Sequence, residues 1–186
     1  MWTERAFYLR KITVRSVKRE VEVPQPLAEL AKEPLEWKCV GITDASWDLY
    51  AGASLIGALR LGAMRMSGTA EIAPGRWKIF RMGLFGSVHV SAEGARTEAA
   101  KFSKKWYRGR VKLETGQELE WGPTNFWATR WAWTGENGQP AVEFRRKGWL
   151  GRANMALVAP EARAMGELPV LLILGQFLMI RRAQAH

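Results

Sequence analysis

The segment from Leu168 to Ile180 constrains this chain more than any other. Ten of its thirteen residues are large and apolar: Leu168, Val170, Leu171, Leu172, Ile173, Leu174, Phe177, Leu178, Met179 and Ile180. Arg181 and Arg182 follow at once. A helix of that length rises about 20 Å, whereas a bilayer core is about 30 Å thick and needs about 20 residues. Upstream, Glu161, Arg163, Gly166, Glu167 and Pro169 interrupt the apolar run, so nothing supplies the missing length. Pro169 suits a first helical turn, where its absent N–H is no loss. A helix apolar on every face has to be buried on every face. Residues 168–182 are therefore predicted to form a helix buried inside protein, with a short membrane anchor or interfacial segment as the rival reading.

The rest of the chain has a different texture. Turn signals recur along this stretch: Pro74-Gly75, Arg81-Met82-Gly83-Leu84-Phe85-Gly86, Glu93-Gly94, Glu114-Thr115-Gly116-Gln117, Gly135-Glu136-Asn137-Gly138 and Gly148. Between them lie runs rich in β-branched and aromatic residues, predicted as strands around Trp77–Arg81, Ser87–Ser91, Trp106–Leu113, Glu118–Trp121, Phe126–Trp133, Ala141–Lys147 and Trp149–Val158. Trp127, Thr129, Trp131 and Trp133 share one parity, as half-buried strand residues do. Leu55 to Leu61 fits a strand, and its Gly57 counts against a helix, which stays open. Ile12 to Val23 alternates Val with charge. Leu27 to Lys32, bracketed by prolines, suggests one or two helical turns.

Together these give the fold class: mainly β, a closed antiparallel barrel of about a dozen strands around a central hydrophobic C-terminal helix. About eight strands is where wall side chains still fill a barrel's interior, so a wider one needs a plug. Residues 36–186 are assigned to the barrel and its helix, and residues 1–35 to an N-terminal strand and short helical turn that could join it.

The order of the Gly-punctuated strands (Gly75-Arg76-Trp77, then Arg81-Met82-Gly83-Leu84-Phe85-Gly86), the late turn Arg145-Arg146-Lys147-Gly148-Trp149-Leu150-Gly151-Arg152 and the ending Glu167-Leu168-Pro169-Val170-Leu171-Leu172-Ile173-Leu174-Gly175 resemble the Tubby C-terminal-like superfamily. That group includes Tubby domains, LURP-one-related proteins and phospholipid scramblases. The likeness covers roughly residues 36–182 and rests on pattern rather than a single motif. It implies a barrel around a C-terminal helix and a non-enzymatic module, in several members a peripheral membrane or phosphoinositide binder. A scramblase's cysteine cluster and acidic calcium segment are not found, and no family binding residue maps onto this chain.

Catalytic and metal chemistry is thinly supplied. The two histidines are His89, in a predicted strand, and His186; Cys39 is the sole cysteine. His89 reads as an ordinary strand histidine, Cys39 as a small buried thiol, and Asp44 and Asp48 as solvated loop residues. No phosphate loop, zinc-helix pair or nucleophile elbow occurs. The expectation is no enzyme, no cofactor and no metal. One cysteine and an N-terminus without a continuous apolar run predict a cytoplasmic protein.

Charge is more informative. The 186 residues carry 28 Lys and Arg against 18 Asp and Glu, a net +10. Residues 101–152 hold eleven cations and five acids, interleaved with Phe102, Trp106, Tyr107, Trp127, Trp131, Trp133 and Trp149. Most of these cations are read as the wet face of strands whose tryptophans fill the core. If a functional patch exists, its members are Lys104, Lys105, Arg108, Arg145, Arg146 and Lys147. Its partner would be an anionic membrane lipid, with nucleic acid the less favoured polyanion. A protein-interaction domain and a barrel for a small hydrophobic ligand complete the alternatives.

Overall fold

The computed structural model describes residues 26–41, 45–72, 75–82, 86–105, 108–148 and 152–184. The strand expected over Ile12–Val23 lies outside them, as do Asp44, Trp106, Tyr107, Trp149 and His186. After a single helical turn, α1 (Leu27–Leu30), come twelve strands: β1 (Leu35–Cys39), β2 (Ser46–Ala51), β3 (Ser54–Leu61), β4 (Ser67–Ile72), β5 (Gly75–Arg81), β6 (Val88–Ala92), β7 (Ala100–Lys105), β8 (Arg108–Leu113), β9 (Glu118–Pro123), β10 (Arg130–Thr134), β11 (Pro140–Lys147) and β12 (Ala153–Val158). A short α2 (Pro160–Arg163) leads to α3 (Leu168–Ala183). Each strand pairs antiparallel with the next, and β12 closes on β1.

Period-two alternation sets which residues face the lumen. In β8 the inward set is Gly109, Val111 and Leu113, and the outward set is Arg108, Arg110 and Lys112. The segment Leu55–Leu61 is a strand, which settles that choice. β7 is an element that turn spacing does not reveal, because its hairpin partner Arg108 follows after only two residues.

α3 fills the lumen. From Leu168 to Phe177 every residue is buried, and Met179 and Ile180 with them. Each such large side chain contributes about 1.5–3 kcal/mol relative to exposure. Three contacts fix the helix in depth and rotation. Trp133 Nε1 donates to the Leu171 carbonyl at 2.9 Å, Asn154 Nδ2 donates to Gln176 Oε1 at 3.0 Å, and the Phe144 ring packs where a Cβ on Gly175 would stand. The open lumen that a small-ligand barrel requires is thus occupied. A cavity of about 500 Å³ lies instead at one end, lined by residues including Trp77, Ala99, Glu114, Glu167 and Val170.

Several local expectations are corrected. Phe126 to Thr129 is a loop, not the start of a strand, and Trp127 is 78% exposed. Asp48 is not a solvated loop residue: it is buried in β2 and paired with Arg60 at 2.6 Å. Cys39 is half-buried at the end of β1, with Arg152 Nη2 3.6 Å from its sulfur. His89, by contrast, is the strand residue expected, with its Nδ1 2.8 Å from Glu98 Oε1 and its Nε2 2.6 Å from Ser87 Oγ.

Candidate functional site

Strand register decides which connections share an end of the barrel. Cys39 lies opposite Trp47, Ser46 opposite Arg60, Leu61 opposite Gly68, Ser67 opposite Phe80 and Arg81 opposite Val88. Continuing round, Lys105 lies opposite Arg108, Pro123 opposite Trp131, Arg130 opposite Arg145 and Lys147 opposite Ala153. The β1–β2, β3–β4, β5–β6, β7–β8, β9–β10 and β11–β12 connections therefore gather at one end, here called the mouth. α3 finishes there too. Arg181 Nη1 lies 3.5 Å from the Arg65 carbonyl in the β3–β4 connection, and the Arg182 guanidinium sits 4.3 Å from the Trp131 ring centre.

All six sequence candidates map to this mouth, on two separate hairpins, with β9 and β10 between them. Their states differ. Arg145 is paired with Glu143, and Lys147 with Glu36 at 2.8 Å. Lys104 and Arg108 are exposed, and neither they nor Arg146 has a carboxylate partner among the described residues; for Lys105 only its backbone pairing with Arg108 is described. Arg146 has the inward parity of Val142 and Phe144, so it stands on the inner rim.

The mouth also holds cations outside that set. Arg81 has the inward parity of Ile79. Arg181 and Arg182 close α3, countering the partial negative charge of its last carbonyls. Burial pushes the Arg181 guanidinium below its ordinary value, and neighbouring Arg81 pushes it the same way. Burial acts likewise on Arg182, with Arg146 as the neighbouring charge. Arg81 with Arg181 and Arg146 with Arg182 therefore make two pairs of like charge at the end of the helix, on the β5 and β11 sides of the rim. Among the described residues none of the four meets a carboxylate.

Apolar tips surround these pairs. The exposed large hydrophobic residues among those described are Val40, Met64, Met82, Phe126 and Trp127, and every one lies on a mouth connection. Phe126 is 91% exposed and Met64 83%. The β9–β10 tip is held rigidly. Asn125 Oδ1 accepts from the Thr129 and Arg130 amides at 3.0 and 3.1 Å, and its Nδ2 donates to Thr129 Oγ1 at 2.8 Å. The Ala128 carbonyl accepts from Trp131 Nε1 at 2.8 Å. Ala128 and Arg65, with φ of 50° and 51°, are the non-glycine residues in the left-handed region among those described. Both positions sit in mouth loops.

Sequence reasoning missed this site in two ways. Trp127 continues the parity of Trp131 and Trp133, which disguised a loop as a strand; the Pro123-Thr124-Asn125 run was the available turn signal. Arg65 and Arg81 lie far from Arg181 and Arg182 in the chain, and only barrel closure brings them to one end. Among the described residues no group of His, Cys, Asp and Glu is arranged to hold a metal ion, and no helix is long and apolar enough to cross a membrane. Comparisons with protein-family models, with curated proteins and with solved structures found no match.

Proposed function

We propose that this protein is a non-enzymatic module that docks its barrel mouth onto an anionic membrane surface. The observation that carries the reading is the coincidence, at one end, of the exposed apolar tips with arginines lacking carboxylate partners. Exposed apolar side chains scattered singly need no explanation, but a set confined to one end does. The two components act differently. Each Lys or Arg at an anionic leaflet contributes about 1 kcal/mol, fading within a Debye length of about 8 Å. Phe126 and Trp127 each contribute up to about 1.5–3 kcal/mol once their rings leave water, and that part is indifferent to salt. Tryptophan is also the side chain best suited to the headgroup layer, with an apolar ring and one polar N–H. A barrel around a C-terminal helix is the architecture that the Tubby-like resemblance implies, which supports the same reading.

Co-sedimentation with vesicles tests it. Binding is expected to vesicles containing phosphatidylglycerol and not to purely zwitterionic ones, with most affinity lost between low and high salt. Equal absence from both vesicle types overturns the reading. Retention of single-stranded nucleic acid at low salt without vesicle binding would give the cations to the other polyanion.

A further inference from the structure

We propose that Ser87 is an activated nucleophile that takes one acyl group from an activated ester or thioester, with His89 as its base and Glu98 as the residue that positions the base. Acylation in solution does not depend on the docking reading. Two hydrogen bonds carry the proposal. Ser87 Oγ lies 2.6 Å from His89 Nε2, and His89 Nδ1 lies 2.8 Å from Glu98 Oε1. Their directions follow from the chemistry of the groups. An ionised carboxylate can only accept, so Nδ1 carries the proton and donates to Glu98. Nε2 of the neutral ring then holds a lone pair, and the Ser87 hydroxyl donates to it. That order of nucleophile, base and acid activates a serine, with each ring nitrogen on the side that proton transfer requires.

The fold fixes the base and leaves the hydroxyl within reach. His89 stands on the outer face of β6, between Val88 and Val90, which are buried in the core. Its ring stacks on that of Phe80, its register partner on β5, with centroids 5.2 Å and planes 10° apart. His89 is 3% exposed, whereas Ser87 is half-buried and Glu98 keeps 47% of its side chain in water. On β7, Lys101 lies opposite His89, which puts a cation on the same outer face for the oxygen that gains charge during attack. Ser87 also belongs to the mouth. Its carbonyl accepts from the Met82 amide at 3.0 Å, and Met82 is one of the exposed tips, so an acyl chain on Ser87 would emerge beside the apolar rim. In the step, Oγ bonds the acyl carbon while its proton passes to His89 Nε2. The bond from that carbon to the leaving oxygen or sulfur breaks, and the leaving group takes the proton from Nε2. A single transfer needs no turnover, so the module remains non-enzymatic.

The test incubates the full chain with p-nitrophenyl acetate, follows nitrophenol release, and locates the acetyl group by peptide mass spectrometry. One equivalent on Ser87 is expected, and none in Ser87→Ala, whose vesicle binding should match wild type. His89→Ala should slow acylation about a hundredfold or more, the contribution of a positioned general base. Added imidazole, entering the space the ring leaves, should restore part of the rate, which a merely structural histidine would not allow. Should that variant unfold, the half-exposed Glu98 decides. Glu98→Gln, which keeps an acceptor for Nδ1 but loses the charge, should slow acylation about tenfold or more with its melting temperature near wild type, and Glu98→Asp should recover part of the loss. An unlabelled Ser87, label confined to lysines, or equal rates in wild type and Glu98→Gln overturns the inference. Nitrophenol release beyond one equivalent, with the label on Ser87, upholds it and overturns the non-enzymatic reading instead.

Discussion

The two ends of this barrel are built from the same strands and differ in almost everything their connections carry. At the base, where α3 begins, the turns and flanking segments include Glu29, Glu33, Glu93, Glu114, Glu136, Glu161 and Glu167 against Lys32, Arg96 and Arg163. At the mouth the described connecting residues contain no Asp or Glu, and they present Val40, Met64, Met82, Phe126 and Trp127 to solvent. Sheet geometry requires neither distribution, because a turn tolerates polar residues at both ends. The contrast teaches that the described barrel is polarised, with acidic residues gathered at the base and cations without carboxylate partners at the mouth. It also separates stability from function. Removing an exposed tip side chain costs the fold little, whereas the helix that joins the two ends is where the fold is vulnerable.

The largest effect should come from the tips. Phe126→Ser/Trp127→Ser is expected to lower partition onto phosphatidylglycerol vesicles by about two orders of magnitude, from roughly 1.5 kcal/mol per ring. Its melting temperature should stay within a degree or two of wild type. The matched change at the base, Glu93→Gln/Glu136→Gln, should alter partition less than twofold, because a strand of about 20 Å separates it from the mouth, more than two Debye lengths. Equal losses from the two doublets would abolish the distinction between the ends.

Next comes the helix between them. In an exposed helix Gly→Ala ordinarily stabilises by about 1 kcal/mol. At Gly175 the new methyl would meet the buried Phe144 ring, and overpacking costs about 1–3 kcal/mol. Gly175→Ala should therefore lower the melting temperature by several degrees, at about 2–4 °C per kcal/mol for a chain of this size. Vesicle binding at temperatures where the variant stays folded should fall by far less than in the tip variant. A rise in melting temperature would mean that α3 is not gripped by the wall.

What could be read before folding follows from these same residues. The plug was legible because ten of thirteen consecutive positions are large and apolar and admit few hosts, and the frequent turn signals pointed to an antiparallel barrel, although β7 left no turn signal of its own. The six mouth cations were legible as residues but not as a site. Arg145 and Lys147 are drawn from adjacent positions that look equivalent to Arg146, yet their partners Glu143 and Glu36 neutralise them, and Glu36 lies 111 residues from Lys147. Arg81 and Arg181, in contrast, meet only because β5 and the end of α3 open at the same rim. Long-range pairing across a closing sheet leaves no local trace in sequence, so the site could be named only in part.

The smallest effect probes one of those pairings. The Glu36 carboxylate is held below its ordinary value, first by its hydrogen bond to Lys147 and then by Lys38, against partial burial, which pushes it up. A carboxylate depressed in the folded state adds stability that is complete above its unfolded value, about 4.3. That stability is lost as pH falls through the lower folded value. Glu36→Gln should therefore melt slightly below wild type at pH 7, and the two curves should converge near pH 3. Because the partners are largely solvated, the gap at neutral pH should stay under about 1 kcal/mol. The same substitution frees Lys38 and Lys147 at the mouth, so vesicle affinity at pH 7 should rise severalfold while stability falls. Weaker binding by Glu36→Gln would show that the lipid does not sense the charge of this rim, and the electrostatic half of the contrast between the ends would be lost.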